Sequence, residues 1–202
     1  PQQIDRVMYD WGWAMGPFAV IDLAGLDVGW RIRTGKIESL GQTEAYPLGY
    51  PYTVEDKLAE MGRFGQKTGA GWYLYEKGNR MPKPDPEVEA MIIQNSADKG
   101  ITRREISDEE IIKRCLYAMA NIGAQILDEG IASRASDIDV IYNYGYGFPR
   151  YRGGPMFYAD TVGLDKVLAD IKTYQAAHGD EWKPAPLLEK LVAEGKSFAD
   201  LK

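Results

Sequence analysis

Apolar residues recur at helical spacing from the first positions of the chain. Four of them share one face of a helix: Ile4, Val7, Met8 and Trp11. Because Gly12 follows this stripe, we predict a helix over about 2–11. Pro1 suits the first turn of such a helix, where the missing amide donor costs nothing.

A second helix is predicted to begin at Gly16-Pro17, since glycine is an acceptable N-cap and proline is preset for the first turn. One apolar face then recurs at helical intervals: Phe18, Ile21, Gly25 and Val28. This pattern predicts a single helix that runs past Gly25, with the glycine allowing a close helix crossing. Residues 34–53 hold three Gly, two Pro and three Tyr, which predicts a connecting loop that packs aromatic side chains.

Two more helices are predicted in the first half of the chain. One covers Val54–Met61 with Leu58 and Met61 facing inward, and the other covers about 86–98. The stretch 62–75 between them has four glycines in its first ten residues. Its order of Gly, Lys and Thr does not match a phosphate-binding P-loop, and it fails the dinucleotide fingerprint for the same lack of a preceding strand. We predict a tight loop that leads into a short aromatic strand over 72–75.

The clearest helix is predicted over 107–129. Ser107 and Glu110 form a capping box, and Ile106 with Ile111 forms a hydrophobic staple. A wide apolar face indicates that this helix is central and buried. After it, we predict a short helix capped at 136–139 and a helix over about 155–178. Short helices over 187–194 and 198–201 complete the chain.

A repeat relates the two halves. Pro17 and Pro155 each follow a glycine, each has an aspartate five residues on (Asp22 and Asp160), and each has Gly-Leu-Asp eight to ten residues on. A repeat kept in register over a dozen positions predicts two related units, 1–100 and 101–202. The short helix at Ile138-Asp139 aligns with Ile4-Asp5. Because the long helix 107–129 precedes only the second copy, we expect that the chain is a fragment whose equivalent helix lies upstream.

Composition narrows the possible functions. The formal charge is −6, so no basic surface for nucleic acid is indicated. No apolar run approaches the roughly 20 residues of a membrane span, and neither secretion nor membrane insertion is indicated. A single cysteine excludes an intrachain disulfide framework and favours a reducing compartment.

Few residues suggest chemistry of their own. Cys115 lies in the predicted core, and His178 is expected at a helix C-terminus, where it interacts with the helix dipole. Arg150 and Arg152 suit either an anion or structural contacts in a loop. Asp22 is expected to anchor a neighbouring backbone. No metal-ligand spacing and no Ser-His or Cys-His arrangement is present, so the residues alone predict two all-α repeated units without a self-contained active site.

The stretch 16–27 resembles the C-terminal domain of 3-hydroxyacyl-CoA dehydrogenases, and the match continues through Gly65-Gln66-Lys67-Thr68-Gly69-Ala70-Gly71-Trp72-Tyr73. The second half, from Leu116 through Asp139 to Phe148–Asp160, resembles a second such domain. This tandem arrangement is similar to that of multifunctional fatty-acid β-oxidation enzymes. It implies an all-α fold of two repeated helical units, like the C-terminal domain of 6-phosphogluconate dehydrogenase-like enzymes.

The resemblance implies a part of an enzyme that oxidises the 3-hydroxyl of an acyl-CoA with NAD. It places the NAD-binding domain and the catalytic His-Glu pair upstream, so it implies no catalytic, cofactor-binding or metal-binding residue in this chain. The residues expected to shape the acyl-CoA site are Met15, Gly16, Pro17 and Phe18, at a helix N-terminus whose free backbone donor could polarise an anionic or carbonyl group. The second unit resembles a replacement for the dimer partner of single-repeat relatives, packed within the same chain.

Two other interpretations stay open. The chain could be a non-catalytic helical module for dimerisation or interaction. It could also belong to another helical dehydrogenase that acts on a different hydroxy acid, although the glycine loop and the doubled motif favour the acyl-CoA enzymes. Cytoplasmic location in a bacterium is expected, with a peroxisomal location as the alternative.

Overall fold

The computed structural model describes residues 1–39 and 53–201, with no account of side chains from 36 to 39. This part of the chain is helical, as the sequence predicts. Its α-helices are α1 (Gln2–Trp11), α2 (Pro17–Ala24), α3 (Leu26–Ser39), α4 (Val54–Glu60), α5 (Pro86–Asp98), α6 (Asp108–Asp128), α7 (Ala135–Gly145), α8 (Pro155–Val162), α9 (Leu164–His178) and α10 (Pro186–Glu194). Short 3-10 turns cover Gln66–Thr68, Arg150–Arg152, Asp180–Trp182 and Phe198–Asp200. None of the helices in the described ranges is long and apolar enough to cross a membrane.

The chain divides into two compact units. The first contains Pro1–Arg6 and Met15–Glu105, and the second contains Val7–Ala14 and Ile106–Lys202. The division therefore runs through α1. The predicted boundary between the two sequence repeats, 1–100 and 101–202, stays a prediction.

The core of the first unit gathers apolar side chains from α2 to α5 and from the segment after the glycine loop. Its buried members are Ala19, Leu26, Val54, Leu58, Ala59, Trp72, Tyr73 and Val88. Leu58 faces inward as predicted, but the prediction for Met61 is wrong, because that side chain is half exposed. The helix ends at Glu60, so Met61 has left the buried face.

The core of the second unit is built around α6, which contacts α7, α8, α9 and α10. Leu116 and Ala120 of α6 are fully buried, as are Met156 of α8 and Leu188 of α10. A Cβ at Gly123 would collide with the Met156 sulfur, so this glycine lets α6 and α8 approach closely. The predicted central helix is thus confirmed. Its Ser107 side chain accepts the Glu110 amide at 3.1 Å, as an N-cap does.

The Gly-Leu-Asp segment breaks a helix in both units. Gly25 has φ 104° and Gly163 has φ 99°, values that favour glycine and end a helix. The predictions of single helices across Gly25 and over 155–178 are therefore wrong. The interpretation of Gly25 as a mid-helix crossing point is wrong as well. After the break the helix axis changes, which leaves Val28 half exposed rather than on the buried face.

Three smaller predictions also need correction. Residues 34–39 belong to α3 rather than to a loop, while the rest of that predicted loop, 40–52, lies outside the described residues. The aromatic segment 72–75 forms only isolated β-bridges instead of a strand. The helix at 136–139 begins one residue earlier, at Ala135, and Arg134 occupies the N-cap position without a side-chain cap.

Candidate functional site

The start of α2 is held by a carboxylate from α1. The amide of Phe18 donates to Asp5 Oδ1 at 2.8 Å, and the amide of Ala19 donates to Oδ2 at 2.9 Å. These are amides of the first helical turn, which lack partners inside the helix. A Cβ at Gly16 would collide with Asp5, so glycine is required for the carboxylate to reach the turn. Asp5 thus fixes where the helix begins.

This arrangement changes the expectation for the helix N-terminus. The sequence predicts a free backbone donor there, but Asp5 accepts from both Phe18 and Ala19. The donor interpretation is wrong for these two amides, since a negative charge already satisfies them. A dinucleotide phosphate would meet the Asp5 carboxylate at this helix end, so the residues present here do not fit an NAD-phosphate site.

The segment Met15–Phe18 lies at the edge of the first unit. Met15 and Phe18 are half-buried and pack against its core, and Gly16 is buried. The Phe18 ring meets Trp72 edge-on, with ring centroids 4.8 Å apart. These contacts orient the segment and leave part of Met15, Pro17 and Phe18 accessible. Their role toward a substrate stays a prediction.

Asp22 anchors the chain that follows the glycine loop. Its side chain is fully buried and accepts the Trp72 amide at 2.8 Å, the Tyr73 amide at 3.0 Å and the Tyr75 hydroxyl at 2.9 Å. The expected backbone anchor is confirmed. Burial raises the pKa of Asp22, and the hydrogen bonds oppose that shift by stabilising the charged form.

Two tyrosines tie the anchors together. The Tyr73 hydroxyl donates to Asp5 Oδ2 at 2.9 Å, while Tyr75 donates to Asp22. Burial raises the pKa of each phenol, and each neighbouring carboxylate adds to the shift. Both hydroxyls therefore stay protonated as donors. The sequence interpretation missed Asp5 and these two hydroxyls, although the alignment of Asp5 with Asp139 carried a signal for the first.

The glycine loop passes close to α2. A Cβ at Gly65, whose φ is 92°, would collide with the backbone oxygen of Asp22. A Cβ at Gly71 would lie 2.7 Å from the Gly65 Cα, so the two ends of the loop touch. Arg63 donates to the Gly71 carbonyl at 2.9 Å and pairs with buried Asp85. The glycines thus let the loop pack against α2 and close on itself.

The second unit repeats both carboxylate anchors. Asp139 accepts the Met156 amide at 2.8 Å and the Phe157 amide at 3.1 Å, at the start of α8. Asp160 accepts the Phe198 and Ala199 amides at 2.9 and 3.0 Å. A Cβ at Gly154 would collide with Asp139, as one at Gly16 would with Asp5. The two sequence repeats therefore share the same pair of carboxylate-to-amide hydrogen bonds.

The other candidate residues have structural contacts. Arg152 donates to the Trp11 carbonyl at 3.0 Å and lies over the Trp11 ring, and Arg150 lies over Tyr144. His178 ends α9 and lies 2.6 Å from an Arg114 guanidinium nitrogen. Cys115 is half-buried rather than part of the core, and burial raises the pKa of its thiol, which disfavours the reactive thiolate. Within the described ranges, no cluster of His, Cys, Asp and Glu could hold a metal ion.

Each unit thus has a Gly-Pro helix with a carboxylate cap and a second carboxylate anchor, which defines a tandem of two repeated helical domains. The family model for the 3-hydroxyacyl-CoA dehydrogenase C-terminal domain matches residues 1–75 and 111–199. The chain belongs to this family. The matched ranges include both anchors of each unit.

Relatives extend the comparison. The chain is 49% identical to the peroxisomal bifunctional enzyme of Danio rerio and 45% identical to that of Homo sapiens, over 96% of this chain and 28% of each relative. It is 32% identical to a fatty acid oxidation complex subunit alpha of Shewanella over 98% of this chain and 27% of the relative. The dehydrogenase part of C. elegans multifunctional enzyme 1 has a TM-score of 0.68 at 28% identity, covering 94% of this chain and 41% of that one. The chain thus spans under a third of the length of the Danio rerio, Homo sapiens and Shewanella relatives.

Proposed function

We propose that this chain is the C-terminal helical part of an NAD-dependent 3-hydroxyacyl-CoA dehydrogenase that acts in fatty-acid β-oxidation. The observation that carries the proposal is the family match over both units. The names of the relatives, bifunctional enzyme and oxidation complex subunit, support a multifunctional parent protein. In that parent, NAD would accept the hydride from the substrate 3-hydroxyl.

In this proposal the chain supplies a wall of the acyl-CoA site. The lining of this wall is the segment Met15–Phe18. Asp5 holds the segment in place by fixing the start of α2, and Trp72 supports the Phe18 ring. A wall held in place by the carboxylates of Asp5 and Asp22 would position the acyl-CoA and exclude water from the reacting hydroxyl. NAD would be held outside this chain, since the α2 N-terminus is occupied by Asp5.

The second unit would take the place of the dimer partner in single-repeat relatives. Support comes from the two shared anchors, Asp139 and Asp160, which give it the same local geometry as the first unit. The rival interpretation, a module for dimerisation between chains, predicts a tight homodimer. Light scattering of the chain separates the two, because the internal arrangement predicts a monomer.

A peroxisomal location is favoured over the bacterial cytoplasm. The peroxisomal enzymes of Danio rerio and Homo sapiens are 49% and 45% identical to the chain, against 32% for the Shewanella subunit. Microscopy of the tagged parent protein beside a peroxisomal marker tests this assignment. A diffuse cytoplasmic signal would overturn it.

The test of the activity is NADH formation by the parent protein with 3-hydroxyacyl-CoA thioesters. We expect turnover by the parent and none by the 202-residue chain. Met15→Ala in the parent should raise KM for the acyl-CoA several-fold and leave KM for NAD unchanged. Met61→Ala, which alters an exposed methionine of the same unit, is the matched control. A parent without NADH formation would contradict the function, and equal behaviour of the two variants would remove Met15 from the site.

A further inference from the structure

A cavity of about 770 Å³ lies beside the glycine loop in the first unit. Its described lining includes Leu23 of α2, Gln66 and Lys67 of the loop, and Lys77, Asn79 and Arg80 from the turn that follows. This volume falls within the range of small-ligand sites. The dehydrogenase function proposed above assigns no role to it.

The walls of the cavity are fixed by hydrogen bonds. The Tyr75 amide donates to the Gly69 carbonyl at 2.9 Å, and the Tyr75 hydroxyl is held by buried Asp22. Beyond it, Leu74 and Lys83 exchange two backbone hydrogen bonds of 2.9 and 3.0 Å, which closes the turn that carries Lys77 and Arg80. A preformed wall lowers the entropic cost of binding a ligand.

The lining is rich in cations although the whole chain carries a charge of −6. Lys67, Lys77 and Arg80 contribute three positive charges, against one carboxylate, Glu76, in the described lining. Glu76 pairs with Lys83, which lowers the pKa of that carboxyl. Lys67 pairs with Asp27 at the start of α3. With Glu76 neutralised by Lys83 and Lys67 by Asp27, the charges of Lys77 and Arg80 leave the cavity with a positive potential that suits an anion.

The second unit has no counterpart of the glycine loop between its helix and its anchored segment. In each unit a helix ends on an equivalent backbone hydrogen bond. The Arg63 amide donates to the Leu58 carbonyl, and the Lys196 amide donates to the Leu191 carbonyl, each at 2.9 Å. Phe198, which Asp160 anchors, comes two residues after Lys196, whereas Trp72 comes nine residues after Arg63. The anchor therefore works without the loop, and the additional residues in the first unit are free to form a binding site.

We propose that this cavity binds the phosphate group of an anionic ligand. The guanidinium of Arg80 and the ammonium of Lys77 would contact the phosphate oxygens, with Lys67 and the amides of Gln66 and Asn79 around them. Leu23 offers an apolar surface to the organic part of the ligand. The proposal concerns this chain alone and does not depend on the dehydrogenase reaction.

The test is an NMR titration of the 202-residue chain with inorganic pyrophosphate and, separately, with coenzyme A. We expect saturable shifts of the amides between Gln66 and Arg80. Equal affinity for both probes would show that the phosphate group alone is recognised, and tighter binding of coenzyme A would identify an organic phosphate. Lys77→Gln combined with Arg80→Gln should weaken binding about tenfold or more, since two charge-assisted hydrogen bonds are lost.

The control is Lys166→Gln, which removes an exposed lysine from α9 of the second unit. It should leave the affinity for both probes unchanged. Both altered side chains in the test variant are exposed, so folding is preserved, and the unperturbed amides of the spectrum check this. Absence of saturable shifts at the loop, or equal affinity of the double variant and the wild-type chain, would overturn the proposal.

Discussion

The two units use the same pair of carboxylates to hold different structures. Asp5 and Asp139 cap the Gly-Pro helices α2 and α8. Asp22 anchors a segment reached through a glycine loop, whereas Asp160 anchors one reached directly from α10. Two tyrosine hydroxyls reinforce the first unit and contact its carboxylates. The comparison indicates that the anchors specify the repeat, while the glycine loop is where the structures of the two units diverge.

The largest expected effect is the loss of the buried anchor in the first unit. Asp22→Ala would leave three donors without their acceptor, and we expect a loss of roughly 3–5 kcal/mol in unfolding free energy. Asp160→Ala removes the acceptor of two amides at a half-buried position, for which we expect roughly 1–3 kcal/mol. Hydrogen exchange, measured in peptides from each unit at increasing urea concentrations, gives the loss of unfolding free energy for each unit separately. Equal losses would contradict the view that the first anchor carries more of the structure.

The close approach of the glycine loop gives the next effect. Gly65→Ala would combine a positive φ with a collision against the Asp22 backbone, so we expect a loss of roughly 3 kcal/mol. Gly62→Ala is the matched control, since Gly62 also has a positive φ but has open space around its Cβ position. It should cost about 1 kcal/mol. Thermal unfolding of both variants decides whether the contact or the backbone angle matters.

The second unit should be the more sensitive to pH through Asp139. Burial, together with the nearby charge of Asp160, raises the pKa of Asp139 to about 6 from 3.8, against the hydrogen bonds from Met156 and Phe157. A raised carboxyl pKa means that the folded state gains a proton before the unfolded state does, so its contribution to stability is present at low pH and is lost as pH rises through about 6.

Asp139→Asn removes this titration. Between about pH 7 and about pH 4, the unfolding free energy of the wild-type chain should rise relative to that of the variant by roughly 1–2 kcal/mol. Urea unfolding at several pH values checks this, with the exposed Asp98→Asn as a control for general charge effects. A parallel pH dependence in the wild-type chain and Asp139→Asn would show that Asp139 does not titrate in this range.

The smallest effect concerns the tyrosine hydroxyls that, among the described residues, donate to Asp5 and Asp22 and not to Asp139 and Asp160. Tyr75→Phe removes the donor to Asp22, and we expect a loss of about 1 kcal/mol because two amides still satisfy that carboxylate. Tyr73→Phe should behave similarly at Asp5. A double-mutant cycle with Asp22→Asn measures the Tyr75 coupling, and a coupling energy of zero would remove the hydroxyl from the anchor.

Periodicity and caps predict much of this fold from the sequence. The helix over 2–11, the helix 86–98 and the long α6 each have an apolar stripe with a recognisable start or end. Asp22 is expected to anchor a backbone because an acidic residue lies among apolar neighbours on a predicted helix. These features are local, so a single segment contains enough information to specify them.

The remaining features depend on residues far apart in the chain. The helical spacing of apolar residues continues across Gly25, so the sequence pattern does not reveal that the helix ends there. The break is visible in the structure as the positive φ of Gly25. Asp5 lies 13 residues before the amide of Phe18 that it caps, and nothing in the α1 pattern shows that its side chain points there. The available signal is the alignment of Asp5 with Asp139. Each aspartate lies on the short helix that comes before the Gly-Pro pair of its copy.

The most direct test shortens the loop so that the first unit imitates the second. Replacing 64–71 with a single serine gives Arg63-Ser-Trp72, which reproduces the spacing of Lys196-Ser197-Phe198. Because Gly65 and Gly71 touch, the chain ends to be joined already lie close together. The measurement is hydrogen exchange of the Trp72 and Tyr73 amides. Retained protection, with Asp22 still accepting both amides, is the result we predict. Loss of protection together with unfolding of the first unit would contradict the claim that the carboxylate anchors, rather than the loop, specify the repeat.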